Sequence, residues 1–357
     1  MVIRRRASLV LGASIFAAAI ALSPVVPAQA AASPGWRVVF SHTYGGQGSF
    51  SEFFAVTATS ARDGWAFGGT NVGGGGSGSP VAERWHGGRW QAGRLPAGLS
   101  GALSAASAPS ASNVWAVSDQ GGYIVHFNGT SWSTAAKRFS GFGELTGVTA
   151  FSSRDVWVFG APGANPGFGT WHYNGRSWTQ SPTATKDGIA FASALSPSSM
   201  WTIGSVSAGE DSVFRYTGSW HQATASALAG LQFHAILAKA TDNVWALANI
   251  ATNAFRPYLV HLTSSGWARI KIPYSVDPVD LSSDGHGGLW MTALDSANAG
   301  WAVRRTASGQ WSRVSLGKSA RMFGLTLVPG TVSLWGAGSV GLQAGSNATI
   351  WAHGPIG

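Results

Sequence analysis

Carboxylates are scarce in this chain: 14 Asp and Glu among 357 residues. A register that repeats them therefore invites a chemical explanation. Glu52, Glu144 and Asp187 stand 13 or 14 residues before Trp65, Trp157 and Trp201. Gln232 and Arg321 hold the same place before Trp245 and Trp335, and Asp277, with Asp280 close behind, before Trp290. Ser104, Thr146 and His234 lie one step further in. Brought to a common axis, such groups could bind the hydroxyls of a ligand or hold Ca²⁺ through oxygen ligands. Taken as a pair, Glu144 and Asp187 could also act as acid and base on a glycosidic bond, as in a hydrolase or lyase.

A second register suggests a metal and then argues against one. Arg84, His126, His172, Arg215, His261 and Arg304 occupy matching positions of successive repeats. Histidines on separate repeats of a ring stand too far apart to share an ion at about 2.0–2.1 Å. No cofactor is therefore expected, Ca²⁺ among the mouth carboxylates being the single candidate. The chain has no cysteine, and no GxSxG, HExxH or phosphate-binding loop stands in it. Two residues before each tryptophan come Asp63, Asn113, Asp155, Ser199, Asn243, Gly288 and Ser333. Short polar side chains at one register read as turn closures on nearby amides, not as a site. Asn128-Gly129-Thr130 and Asn347-Ala348-Thr349, though sequon-like, read as turns as well.

The elements that position these residues follow from the tryptophans. Trp65, Trp115, Trp157, Trp201, Trp245, Trp290 and Trp335 recur at spacings of 50, 42, 44, 44, 45 and 45. A second column is Trp90, Trp132, Trp178, Trp220, Trp267 and Trp311, with Trp36 left over near the start. Within a unit, Glu144 to Phe151, Asp155 to Gly160, Gly169 to Asn174 and Arg176 to Gln180 read as four short strands. Asn174-Gly175 joins the last two as a type I′ hairpin signal. Four strands per period of about 44 make a β-propeller blade, and each blade needs a neighbour to cover its apolar face. The last unit lacks its fourth strand, and Gly35 to Phe40, with Trp36, supplies it. The expected fold is thus all-β: a seven-bladed propeller of four-stranded blades, its ring closed by the N-terminal strand completing the last blade.

The segments VTAFSSRDVWVFG and HYNGRSW carry a family resemblance. They resemble repeats of secreted actinobacterial propellers and, more distantly, sialidase-type, photosystem II assembly-factor and tectonin propellers. The resemblance implies the fold over Trp36 to Gly357, and it implies activity weakly, because propellers host enzymes, lectins and scaffolds alike. The aspartate box of sialidase-type repeats is replaced here, as in Asn128-Gly129-Thr130-Ser131-Trp132 and Thr217-Gly218-Ser219-Trp220, so no sialidase activity is carried over.

Residues 1–30 read as a secretory signal peptide: Arg4 to Arg6, then an apolar run from Leu9 to Leu22, then Ala28-Gln29-Ala30 for cleavage. Residues 31–357 form one propeller domain. Without the leader the formal charge falls from +9 to +6, and the basic residues are scattered. A nucleic-acid surface needs them clustered, so nucleic acid is not an expected partner. No membrane span is expected after processing, and a closed ring with short protected edges is expected to be a monomer. The expectation is a secreted, non-catalytic propeller binding a glycan or an extracellular or envelope protein. The site is expected on the face carrying the loops between second and third strands, which vary in length. Its candidate residues are Glu52, Glu144, Asp187, Gln232, His234, Asp277 and Arg321. The rival expectation is the glycoside hydrolase or lyase using the same carboxylates.

Overall fold

The computed structural model describes residues 35–46, 48–71, 78–137, 145–160, 169–181, 189–207, 210–341 and 345–355. Seven antiparallel sheets of four strands each form blades 1 to 7, and the sheets of blades 1 to 6 run from an innermost to an outermost strand in chain order. The innermost strands are Ser51–Ser60, Leu103–Ser110, Leu145–Ser152, Ile189–Ser196, Leu231–Ala240, Asp277–Ser283 and Ala320–Leu327. Blade 7 is completed from the other end of the chain: Arg37–His42 pairs antiparallel with Asn347–His353, joining Arg37 to Ala352 and His42 to Ala348. The expected propeller and its closure are both present.

Each second strand is the buried middle of its sheet. Asp63–Thr70 is buried at all eight positions, and all seven tryptophans of the first column are buried. A buried indole contributes roughly 2–3 kcal/mol. The second column is looser: Trp132 and Trp220 are buried, whereas Trp90, Trp178, Trp267 and Trp311 are half-buried. Between blades the side chains form separate apolar layers. One example is Trp65, Phe67, Leu103, Val114 and Val125 between blades 1 and 2. Phe53, Ala66, Ala337 and Ile350 form the layer between blades 7 and 1. Trp36 closes the seam on the far side of blade 7, its ring edge-on to Trp290 at 5.5 Å and 5.4 Å from His353.

Four of the residues before the tryptophans, Asp63, Asn113, Asp155 and Asn243, bond third-strand side chains instead of closing turns. Asp63 Oδ2 accepts from Arg84 Nε and Nη2 at 3.1 and 2.6 Å. Asn113 Oδ1, Asp155 Oδ1 and Asn243 Oδ1 lie 2.8, 2.8 and 3.0 Å from Nε2 of His126, His172 and His261. Those third-strand residues in turn lie on the tryptophans they pair with. His126, His172 and His261 stack on Trp115, Trp157 and Trp245 at 4.1, 4.3 and 3.6 Å between centroids. Arg84, Arg215 and Arg304 lie over Trp65, Trp201 and Trp290 at 5.3, 5.3 and 5.8 Å. The turn bonds come instead from serines at the end of the innermost strand, since Ser60 and Ser152 Oγ accept from Arg62 and Arg154 N.

Two further corrections are local. Asn174-Gly175 is not a two-residue type I′ turn: Tyr173 pairs with Trp178, and Asn174 Oδ1 accepts from the amides of Arg176 and Ser177. Only Gly175 of that pair has positive φ, +89°. In blade 6 the insertion moves the carboxylate from the expected register to Asp284. Its Oδ1 accepts from His286 N and Gly288 N, while Oδ2 takes Arg304 Nη2 at 3.0 Å. Gly288 is needed there, because a Cβ would stand 2.5 Å from Asp284 Oδ2.

Candidate functional site at the channel mouth

Antiparallel order places the loops entering each innermost strand and the loops between second and third strands on one face. The first residues of the innermost strands stand on that face. All seven innermost strands carry a β-bulge near that end: the registers slip between Phe53 and Ala55, Leu103 and Ala105, Leu145 and Gly147, Ile189 and Phe191, Phe233 and Ala235, Pro278 and Asp280, and Met322 and Gly324. A bulge leaves one residue unpaired and re-aims its side chain. His234, Ser104 and Thr146 are three of these residues. Close approach of the backbone at the bulge demands glycine on the paired strand: a Cβ on Gly68 would sit 1.8 Å from the Glu52 carbonyl, and one on Gly338 1.8 Å from that of Arg321.

The described candidates gather in two groups. In blades 7 and 1, Glu52 Oε1 accepts from Ser339 Oγ at 3.1 Å. Burial raises the Glu52 carboxyl, an effect opposed by that hydroxyl and by the nearby Arg321 guanidinium. In blades 4 to 6, His234 stands between Asp211 and Asp277. Asn249 Nδ2 donates to Asp277 Oδ1 at 3.3 Å and to the Ala254 carbonyl at 3.4 Å. Asp211 Oδ2 accepts from Phe233 N at 3.1 Å. Burial lowers the His234 imidazole, outweighing the opposite pull of Asp277, Asn249 and Asp211. Burial likewise raises Asp211, against the Phe233 amide and His234.

Arg321 Nε is buried without a hydrogen-bond partner, whereas the side chains of His234 and Asn249 bond to each other. Native proteins leave few buried polar groups unsatisfied. Gln232 is exposed and takes no part in either group. Glu144 and Asp187 lie outside the described residues, so the acid–base pair drawn from them has no geometry here. Among the described residues no three His, Asp or Glu side chains converge on a metal position.

Two grooves flank the His234 group on the loop face. One, of about 420 Å³, runs between blades 4 and 5 along Asp211, Gln222, Thr224 and Leu231. The other, of about 430 Å³, is lined by Phe255, Arg256, Tyr258, Lys271 and Tyr274. Arg313 caps Tyr274 at 4.8 Å from its ring. Asn249, Tyr258 and Tyr274 came from no repeat column, and Phe255 and Arg256 lie in the third strand of blade 5, Asn253–Thr263. A further cluster that escaped the columns ties the loop after the closing strand to blade 1. Tyr44 Oη donates to Glu83 Oε1 at 2.6 Å, and His42 packs on Tyr44 at 4.6 Å. Burial raises both the tyrosine and the glutamate.

No protein family matches the chain, and no curated protein matches it. Solved structures do. YCF48 bound to D1 peptide superposes with a TM-score of 0.60 at 13% identity, over 90% of this chain and 99% of that one. Virginiamycin B lyase from Staphylococcus aureus, with quinupristin, gives 0.60 at 15% identity over 90% and 100%. The GH74 xyloglucanase from Xanthomonas campestris gives 0.59 at 14% identity over 87% of this chain and 54% of its own. Likenesses this distant establish the propeller fold and leave the activity to the site.

Proposed function

We propose that this chain is an exported, non-catalytic propeller that binds a glycan, or an extracellular or envelope protein, through its loop face, the glycan being the better fit. The observation that carries this reading is the channel mouth, where His234, Asn249 and Asp277 form a partly buried polar set and Arg321 Nε is buried and unbonded. Hydroxyl groups both donate and accept, so a polyol satisfies such a mixed set. The adjacent groove adds the half-buried rings of Phe255, Tyr258 and Tyr274 and the exposed cations Arg256 and Lys271. Flat rings with polar neighbours suit sugar faces. The histidines and most acidic residues of the repeat columns are spent on blade contacts, which leaves this face as the place where the blades differ.

Screening the purified chain against immobilised glycans and purified cell-wall polysaccharides tests the reading. Saturable binding lost on Tyr274→Ala and on His234→Ala supports it. Polysaccharide turnover without stable binding would overturn it in favour of the hydrolase or lyase. Export is tested separately: the N-terminus of chain recovered from culture medium should be Ala31.

A further inference from the structure

The central channel holds a carboxyl group that the loop face does not use. A half-open cavity of about 180 Å³ is lined by the innermost strands of blades 2 to 6. Its walls are mostly small and apolar, Ala105, Val148 and Ile236 among them, with Thr146 as a polar exception and Asp280 as the single charged lining residue. The Phe191 ring stands in the same lumen with 43% of its surface exposed.

Asp280 is firmly held. Oδ1 accepts from Leu281 N at 2.8 Å, and Oδ2 from Leu325 N on blade 7 at 2.7 Å. A carboxylate has about four acceptor positions, so capacity remains on each oxygen. None of the ion pairs among the described residues includes it. Stapling one innermost strand to the next does not require a charge. Ser107 Oγ does so for Ala150 N at 3.0 Å, and Ser193 Oγ for Ala238 N at 2.9 Å. An aspartate where a hydroxyl would serve, facing an apolar lumen, is costly unless a cation completes it.

We propose that the channel is a binding site for a primary alkylammonium group, the ammonium seated on Asp280 and its methylenes along Phe191 and the apolar wall. A small, mostly apolar cavity with one carboxyl group in its wall fits a linear amine, and an exposed aromatic face attracts the cation. The same chemistry is presented by a lysine side chain of a peptide and by a free diamine. Burial pushes the Asp280 carboxyl up to about 7, so an ammonium partner is best tested above that pH, where the group is charged.

Isothermal titration calorimetry at pH 8 with n-butylammonium chloride tests the site. Saturable one-to-one binding is expected, weakened at least about tenfold by Asp280→Asn and several-fold by Phe191→Leu, and unchanged by Arg256→Ala on the loop face. Repeating the titration with Nα-acetyl-lysine amide and with cadaverine separates peptide from diamine. Absence of saturable heat up to about 20 mM, or equal affinity in Asp280→Asn, overturns the proposal. Should Asp280→Asn fail to fold, Phe191→Trp, which fills the lumen, decides: undiminished affinity there overturns it too. Loss of channel binding with glycan binding intact would leave the loop-face reading standing, and the reverse holds equally.

Discussion

Asp63 is the residue on which the polar scaffold of blade 1 turns. It is nearly buried, it accepts twice from Arg84 through one oxygen, and His86 Nδ1 lies 3.4 Å from the same oxygen. Asp63→Ala strands the guanidinium between Trp65 and Phe127. Because Arg84 retains some exposure, the cost should fall below that of a fully buried pair, about 2–3 kcal/mol in urea denaturation. Asp280 gives a prediction of opposite sign. Its folded-state pKa of about 7 lies above the unfolded value near 3.8. The native state therefore holds its proton more tightly, and stability falls as pH rises from about 4 to 7. The neighbouring innermost strands carry His234, Lys239 and Arg321, and Asp277 shares its own strand. Asp280→Asn removes the titration and one acceptor. The variant should gain on the wild type by up to roughly 4 kcal/mol between pH 4 and pH 8, read as the pH dependence of the difference in melting temperature. His126, His261 and His353, all lowered by burial, pull the other way. Their contribution is complete above about 6.5 and is lost as pH falls below it.

At the scale of the strand, the bulge is the device that makes a mouth. It turns Ser104, Thr146 and His234 out of the ladder at one level, and it requires Gly68 and Gly338 beneath it. Gly68→Ala drives a methyl into the Glu52 carbonyl and should cost more than about 2 kcal/mol while loosening Glu52 from Ser339. Circular dichroism melting measures the first effect. The pattern of seven sheets was legible because indoles at fixed spacing have one economical explanation. The bulge was not, because no residue type marks it: the seven unpaired positions are Phe54, Ser104, Thr146, Ala190, His234, Val279 and Phe323. The pairing of Asp155 with His172 was hidden for a related reason. Both residues were visible as columns, but a column does not say which other column it faces, and register alone joins them. Glu52, Asp277 and Arg321 were found by counting, whereas Asn249 and Tyr274 depend on loop paths that counting cannot follow.

The whole molecule is a ring whose stability is shared among interfaces, so one open seam affects all the others. Removing residues 35–42 takes away the outer strand of blade 7 together with Trp36, which contacts Trp290 and His353. Such a truncation should broaden the unfolding transition and lower its midpoint by several degrees, since in a ring of this size each kcal/mol lost moves the midpoint by roughly 1.5 °C. Trp36→Ala alone should give a smaller shift in the same direction. The seam also bears on how the molecule is made. Arg37–His42 is the first strand of the ring to be synthesised, and its partner Asn347–His353 is the last. Contacts that span more than 300 residues cannot form while the chain is still emerging. The first strand must wait, unpaired, through the making of six complete blades. Closure of the ring must therefore await the synthesis of Asn347–His353, so a chain interrupted before that strand leaves blade 7 open however well the other six have formed.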